Sequence, residues 1–260
     1  MGVAVNSNTN RVYVANQGSN TVSVINTNTN SVIATIPVGA NPTGVSLNFN
    51  TNLVYITNPS SNDVSVINGN TNSVIATILV GSMPIGITVN SNTNLVYVVN
   101  NNSNNVSVID SNTNLVINTI PVGLNPSEVA LNPKTNLLYV TNPSGNTVSV
   151  INGNTNSVIT TIPVGSSPFG VLVNSKFNLI YVVNDDSNNV SVIDANTNSV
   201  INTIPVGSNP VEMTVDPKTN LLYVTNTGSN TVSVIDSNTN SIIATIPVGL
   251  YPFGIDVLID

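Results

Sequence analysis

The sequence predicts an all-β fold, a six-bladed β-propeller of four-stranded antiparallel blades, and three observations carry that prediction. Tyrosine recurs at Tyr13, Tyr55, Tyr97, Tyr139, Tyr181 and Tyr223, a step of 42 residues each time. Glycine at Gly39, Gly81, Gly123, Gly165, Gly207 and Gly249, and proline at Pro42, Pro84, Pro126, Pro168, Pro210 and Pro252, keep the same step. No insertion or deletion disturbs the register, so every repeat must share one backbone plan. Apolar residues, chiefly Val and Ile, make up 40% of the 260 residues, and most of the remainder is Asn, Ser, Thr, Gly and Pro. β-Branched side chains suit pleated, half-buried strands, and that polar set suits turns.

Each element follows from the repeat. In the first copy, apolar runs at residues 2–5, 11–15, 21–25 and 31–38 are separated by 6–10, 16–20, 26–30 and 39–42. The runs are strand-sized, and the separators consist of residues that tolerate the left-handed region or form Asx turns. Four strands with short links make an antiparallel meander. Several runs are apolar at consecutive positions, as in Val12-Tyr13-Val14, so these strands need cover on both faces. One isolated sheet cannot supply that cover, whereas radial stacking of sheets does. Helical repeats are excluded by turn formers every ten residues or so, and a β-solenoid would not need one tyrosine in 42. The repeats run over about 2–43, 44–85, 86–127, 128–169, 170–211 and 212–253 of a single domain, 1–260.

A seventh copy of the first strand, residues 254–260, follows the six repeats. The tail and residues 3–5 compete for one innermost position. The longer apolar set, Ile255, Val257 and Ile259, predicts that the tail closes the ring and displaces the N-terminal strand. Two other expectations stand beside this one: a chain cut from a longer array, and a spare strand that pairs with another subunit. Met1 leads straight into the first repeat without a signal peptide, which suits an excised or mature form as well as a cytoplasmic protein.

Tyr139-Val140-Thr141-Asn142, then Asn146-Thr147-Val148-Ser149-Val150-Ile151 and Thr161-Ile162-Pro163-Val164-Gly165, resemble the YVTN family of β-propeller repeats. The likeness extends through all six copies, with variants such as Tyr13-Val14-Ala15-Asn16 and Tyr97-Val98-Val99-Asn100. The resemblance implies a surface-layer-like or extracytoplasmic setting. It brings no common set of catalytic residues.

Composition removes several functions. The formal charge is −7, and the basic residues are Arg11, Lys134, Lys176 and Lys218 alone. Four scattered cations cannot neutralise a nucleic-acid backbone or hold an anionic membrane surface. No apolar run reaches the roughly 20 residues that cross a bilayer. The chain has no His and no Cys, so Ser-His-Asp and Cys-His catalysis and the commonest zinc ligands are excluded. No cofactor is expected.

Departures from the repeat are the candidate functional positions. Glu128 and Glu212 replace the glycine seen at Gly2, Gly44, Gly86, Gly170 and Gly254, and both start an innermost strand near the channel mouth. They offer a cation or polar-ligand site, with Phe169, Tyr251 and Phe253 on nearby loops, or else two solvated carboxylates. Asp185-Asp186 supplies hard oxygen ligands of the kind Ca²⁺ takes, though without an EF-hand spacing. Lys134, Lys176 and Lys218 share one repeat position and could form an anion-binding arc. A ring of amides at Asn16, Asn58, Asn100, Asn142, Asn184 and Asn226 could recognise glycans, although turn formation already explains it. Asn101, Asn105 and Asn189 lie in Asn-x-Ser sequons.

Composition and regular repeats predict a non-enzymatic structural or interaction module, and the resemblance implies a cell-surface or extracellular setting, with a protein or a cell-surface polymer as partner and self-assembly as a further possibility. The alternative is a propeller that binds a ligand, peptide or glycan on its top-face loops. A lyase or hydrolase using Glu128 or Glu212 is the remaining reading.

Overall fold

The four apolar runs of each repeat fold as strands. In the computed structural model, which describes residues 2–257, the first repeat forms β1 (Val3–Asn6), β2 (Arg11–Asn16), β3 (Thr21–Asn26) and β4 (Ser31–Pro37). They pair antiparallel in that order, and five further sheets repeat the plan over 45–79, 84–121, 129–163, 168–205 and 210–247. A single 3₁₀ turn at Pro143–Gly145 is the only helix among the described residues.

Asparagine makes the hairpins. The loop between β1 and β2 ends on Asn10 at φ 53°, and the next two loops end on Asn20 and Asn30 at 56° and 51°. Asparagine enters the left-handed region more readily than other residues with a Cβ. At the start of the first loop the Asn6 side-chain oxygen accepts the Asn8 N–H at 3.1 Å, an Asx turn. No described glycine has positive φ. Where the chain passes between sheets, the same left-handed corner falls on Asn41, Met83, Asn125, Ser167, Asn209 and Tyr251.

The outermost strand of every sheet carries one bulge. Val24 and Ile25 of β3 face Ala34 and Val32, so Ile33 is the extra residue, and the register shifts again at 66/67, 108/109, 150/151, 192/193 and 234/235. A bulge bends and twists an edge strand, which blunts it as a template for pairing. It also turns Ile33 and its counterparts Ile75, Ile117, Ile159, Ile201 and Ile243 to solvent.

The chain divides into two compact units, Met1–Leu131 and Asn132–Asp260. In the first unit, Tyr13, Val22, Val24 and Ile36 of the first sheet meet Leu47, Val54, Ile56 and Ile67 of the second. Tyr55, Val64, Val66 and Ile78 meet Ile87, Val96, Val98 and Ile109 of the third in the same way. In the second unit the fourth sheet presents Tyr139, Val148, Val150 and Ile162 to Ile180, Val182 and Ile193 of the fifth. The fifth presents Tyr181, Val190, Val192 and Ile204 to Met213, Leu222, Val224 and Ile235 of the sixth. Each of these four interfaces therefore joins a tyrosine-bearing face to an aliphatic one, and each fully buried side chain contributes about 1.5–3 kcal/mol.

Within each unit, one sheet face is more exposed than the matching face of its neighbouring sheet. On the aliphatic face of the first sheet Val5 is 51% exposed and Val12, Val14 and Ile25 are partly exposed, whereas Leu47 of the second sheet is 6% exposed. On the tyrosine face of the sixth sheet Ile246 is 44% exposed and Tyr223 and Val232 are half-buried, whereas Ile204 of the fifth is 4% exposed.

The tail corrects one expectation. The innermost place of the first sheet belongs to β1, whose Val3, Ala4, Val5 and Asn6 pair with Val14, Tyr13, Val12 and Arg11. Residues 252–257 form no strand, and Ile255 and Val257 are only partly buried. Chain continuity sets the reason. Thr225 Oγ1 donates to the Phe253 carbonyl at 2.9 Å, the bond that Thr57 makes to Ile85 and Thr141 to Phe169. The tail thus starts along the seat that the innermost strand of a following sheet takes. Ile259 lies outside the described residues.

Candidate functional site

The turn that enters each innermost strand is built by close approach. A Cβ on Gly44 would lie 2.4 Å from the Ile85 carbonyl oxygen, and one on Gly86 would lie 2.6 Å from that of Ser127. Glu128 and Glu212 stand at this repeat position, so their side chains occur where other sheets leave no room for one. Glu128 is half-buried, and its Oε1 accepts the Val129 N–H at 3.3 Å. Glu212 is also half-buried, and burial pushes its carboxyl above the usual carboxylate range.

In the second unit the predicted residues come together in part. Thr225 Oγ1 bridges the Glu212 and Phe253 carbonyls, at 3.2 and 2.9 Å. Phe253 and Tyr251 are exposed, and the Tyr251 N–H donates to Asn230 Oδ1 at 2.9 Å. Phe169 has a different place: its side chain packs against the core between the fifth and sixth sheets. The resulting arrangement sets a half-buried carboxyl, its pKa raised by burial, on a strand tied through Thr225 to the backbone of exposed Phe253. Glu128 lies in the other unit.

The remaining candidates are structural in their contacts. The amides at Asn58, Asn100, Asn142, Asn184 and Asn226 are fully buried rather than presented as a flat ring. Each donates from Nδ2 across its hairpin to Ser65, Ser107, Ser149, Ser191 or Ser233 at 2.9–3.0 Å. Their Oδ1 atoms are buried without a hydrogen-bond donor. Asn105 and Asn189 accept from Asn100 and Asn184 at 2.8 and 2.7 Å, and Asn101 Nδ2 donates to the Asn125 and Pro126 carbonyls. Glycosylation at Asn101 would remove those two bonds.

Lys134 Nζ donates to the Ser175 carbonyl, which ties the fourth sheet to the fifth. Lys176 lies 5.6 Å from the Phe177 ring centre. The Lys218 N–H donates to Asp216, whose carboxyl is held below its ordinary range by hydrogen bonds from Thr219 and Lys218. Ser167 Oγ donates to Asp186, while Asp185 Oδ1 is buried without a partner. Among the described residues no three His, Cys, Asp or Glu side chains gather as a metal site would require. Arg11 went unnoticed in the sequence as a fastener; its guanidinium donates to the Gly69 carbonyl and to Asn72 Oδ1.

With this geometry in place, the chain can be set beside known proteins. No family model matches the sequence, and no curated protein matches it. Solved structures do match. Hydrazine synthase of Kuenenia stuttgartiensis superposes with a TM-score of 0.84 over 96% of this chain and 87% of that one, at 19% identity. Together with six four-stranded antiparallel sheets, this decides the architecture. The fold is β-propeller-like. Identity this low carries the fold alone, and the YVTN likeness rests on the repeat motif itself.

Proposed function

We propose that this propeller is a non-enzymatic structural or interaction module of the cell surface or extracellular space, built from YVTN-type repeats. One observation carries the reading. The polar groups that recur in every repeat, and that could have formed a recognition ring, are spent on holding loops: Asn58 and its counterparts fasten hairpins, and Asn20, Asn62 and Asn104 accept the N–H of residues 41, 83 and 125 at 2.7–2.9 Å. What remains outside is a sparsely charged surface that meets a protein or a polymer by shape and neutral hydrogen bonds. Such a surface, with four basic residues, suits neither nucleic acid nor an anionic bilayer.

Protease shaving of intact source cells tests the placement. Release of peptides from this chain before lysis supports the surface reading, whereas protection until lysis overturns it. Glu212 favours a second reading, a ligand site on the loops of the second unit, because its half-buried carboxyl has a raised pKa and its strand is tied through Thr225 to the backbone of exposed Phe253. That reading requires Glu212→Gln to abolish binding to whatever peptide or glycan the wild type retains on an array. The name of the similar structure belongs to an enzyme, but 19% identity transfers no reaction to Glu128 or Glu212.

A further inference from the structure

The last hairpin of each sheet turns on a loop of one plan, and in two sheets that loop opens with Asn-Gly. Asn68-Gly69 in the second sheet and Asn152-Gly153 in the fourth are the chain's two Asn-Gly pairs. The same repeat position reads Asn26-Thr27, Asp110-Ser111, Asp194-Ala195 and Asp236-Ser237 in the other sheets. In Asn-Gly the asparagine side chain is most open to attack by its own backbone, because glycine has no Cβ to hinder its nitrogen. The glycine nitrogen loses its proton and bonds to the asparagine Cγ, and the side-chain amide nitrogen leaves as ammonia. Water then opens the cyclic imide. Opening at one carbonyl gives aspartate, and opening at the other gives isoaspartate, in which the main chain runs through the former side chain.

Both reacting groups are engaged while the turn is closed. The Gly69 N–H donates to the Asn52 carbonyl at 2.9 Å, and Gly69 is buried. Asn68 Oδ1 accepts the Asn70 N–H at 2.8 Å, an Asx turn, while the Asn68 carbonyl accepts the Asn72 N–H at 2.9 Å. The second compact unit repeats the arrangement. There the Gly153 N–H donates to the Asn136 carbonyl at 2.8 Å. Asn152 accepts the Asn154 N–H on Oδ1 and the Asn156 N–H on its carbonyl, each at 2.8 Å. A buried nitrogen whose proton is engaged in this way gives it up only when the turn opens.

The other sheets already hold the product. Asp110, Asp194 and Asp236 stand at this position and accept the N–H of Asn112, Asn196 and Asn238 at 2.7–2.8 Å. The N–H groups of Ser111, Ala195 and Ser237 after them donate to the Asn94, Asn178 and Asn220 carbonyls at 2.9–3.1 Å. Aspartate therefore makes the bonds of this turn that asparagine makes. Isoaspartate lengthens the main chain by a methylene and exchanges the two acceptors that meet residues 70 and 72.

We propose that Asn68 and Asn152 are deamidation sites, locked while their turns are closed and released when a turn opens, and that the fold takes back the aspartate product but not isoaspartate. Each conversion adds a negative charge at a half-buried position of a sparsely charged surface, so the two turns record past opening in the protein's charge. This holds whether or not the protein lies at a cell surface.

Incubation of the purified chain at mildly alkaline pH, folded and in urea, tests this by peptide mapping with mass spectrometry over time. In urea both pairs are expected to deamidate at least about tenfold faster than in the folded chain, the protection that closed, hydrogen-bonded turns give. Asn26, which makes the same Asx turn but precedes Thr27, is expected to stay intact over that period. After dilution from urea, molecules with aspartate at 68 or 152 are expected to unfold at the wild-type urea midpoint, and molecules with isoaspartate at a lower one. Asn68→Asp and Asn152→Asp supply the aspartate reference directly and are expected to keep the wild-type midpoint. Pairs that stay intact in urea, or that react equally fast when folded, overturn the lock. Loss at Asn26 as fast as at Asn68 overturns the assignment of the sites. A lowered midpoint in either aspartate variant, or isoaspartate molecules as stable as the wild type, overturns the selective return.

Discussion

The second and sixth sheets carry the same five residues at the same repeat positions: Tyr55 and Tyr223, Val64 and Val232, Val66 and Val234, Ile78 and Ile246, Gly81 and Gly249. Their surroundings differ. Ile78 is 6% exposed beneath the third sheet, Ile246 is 44% exposed, and the space that Asn100 fills beside Gly81 is open at Gly249. Identical residues thus have unlike environments, because burial belongs to a pair of faces and not to a strand. A repeat pattern specifies which face is apolar, while its neighbour decides whether that face is core or surface.

The largest test of the comparison uses the interface tyrosines themselves. Burial raises the hydroxyl pKa of Tyr97 and Tyr139 to about 12, and it raises those of Tyr13, Tyr55 and Tyr181 in the same direction. A folded-state pKa above the unfolded value means that the folded chain holds more protons as pH rises past 10. The stability that comes with a neutral buried phenol is complete below pH 10 and is lost as pH climbs through the folded values. Far-ultraviolet circular dichroism is expected to hold to about pH 10 and to collapse towards pH 12, with phenolate absorbance appearing in the same transition. Tyrosines that ionise near pH 10 with the strands intact would break the account of these interfaces.

A smaller effect sharpens the contrast at one pair of residues. Ile78→Ala removes a side chain packed between two sheets and is expected to cost about 2–5 kcal/mol. Ile246→Ala, at the more exposed face, is expected to cost about 1 kcal/mol or less in dilute solution. Urea unfolding of the two variants measures the difference directly. Equal losses would mean that the sixth sheet is covered in solution at the concentration used.

The strands, the turns and the four-stranded plan were legible because they are local. Alternation of Val and Ile with asparagine clusters places β2 at Arg11–Asn16 against an expected 11–15, and β4 at Ser31–Pro37 against 31–38. The recurrent asparagines were legible as turn formers, as the Asx turn at Asn6 and the left-handed Asn10 bear out. The candidate site was legible less well. Glu212 and Phe253 do share Thr225, but Phe169 went to a core because the fifth sheet has a neighbour, which no count along the chain reveals. The tail failed for a similar reason. Its apolar residues advertised a strand, whereas continuity with the sixth sheet decided where it starts. The two more exposed faces left no mark at all, since their residues match covered ones letter for letter or nearly so.

The smallest expected effect turns the comparison from faces to corners. Six corners between or after sheets require φ near 50–65°, and three of them hold asparagine while Met83, Ser167 and Tyr251 hold the others. A left-handed residue with an ordinary side chain costs about 1–2 kcal/mol, less for asparagine. Met83 is exposed, and its hydrogen bonds run through its own backbone, the N–H to Asn62 and the carbonyl from Asn101 N–H. Met83→Asn therefore relieves strain while keeping both hydrogen bonds, and it is expected to stabilise the chain by about 1 kcal/mol. In thermal unfolding this corresponds to a rise of roughly 2–4 °C for a chain of this size. The reverse change at an equivalent corner, Asn41→Met, is expected to lower the midpoint by a similar amount. Midpoints that move together rather than in opposite directions would show that these corners are set by their neighbours' hydrogen bonds and not by the residue's own backbone preference.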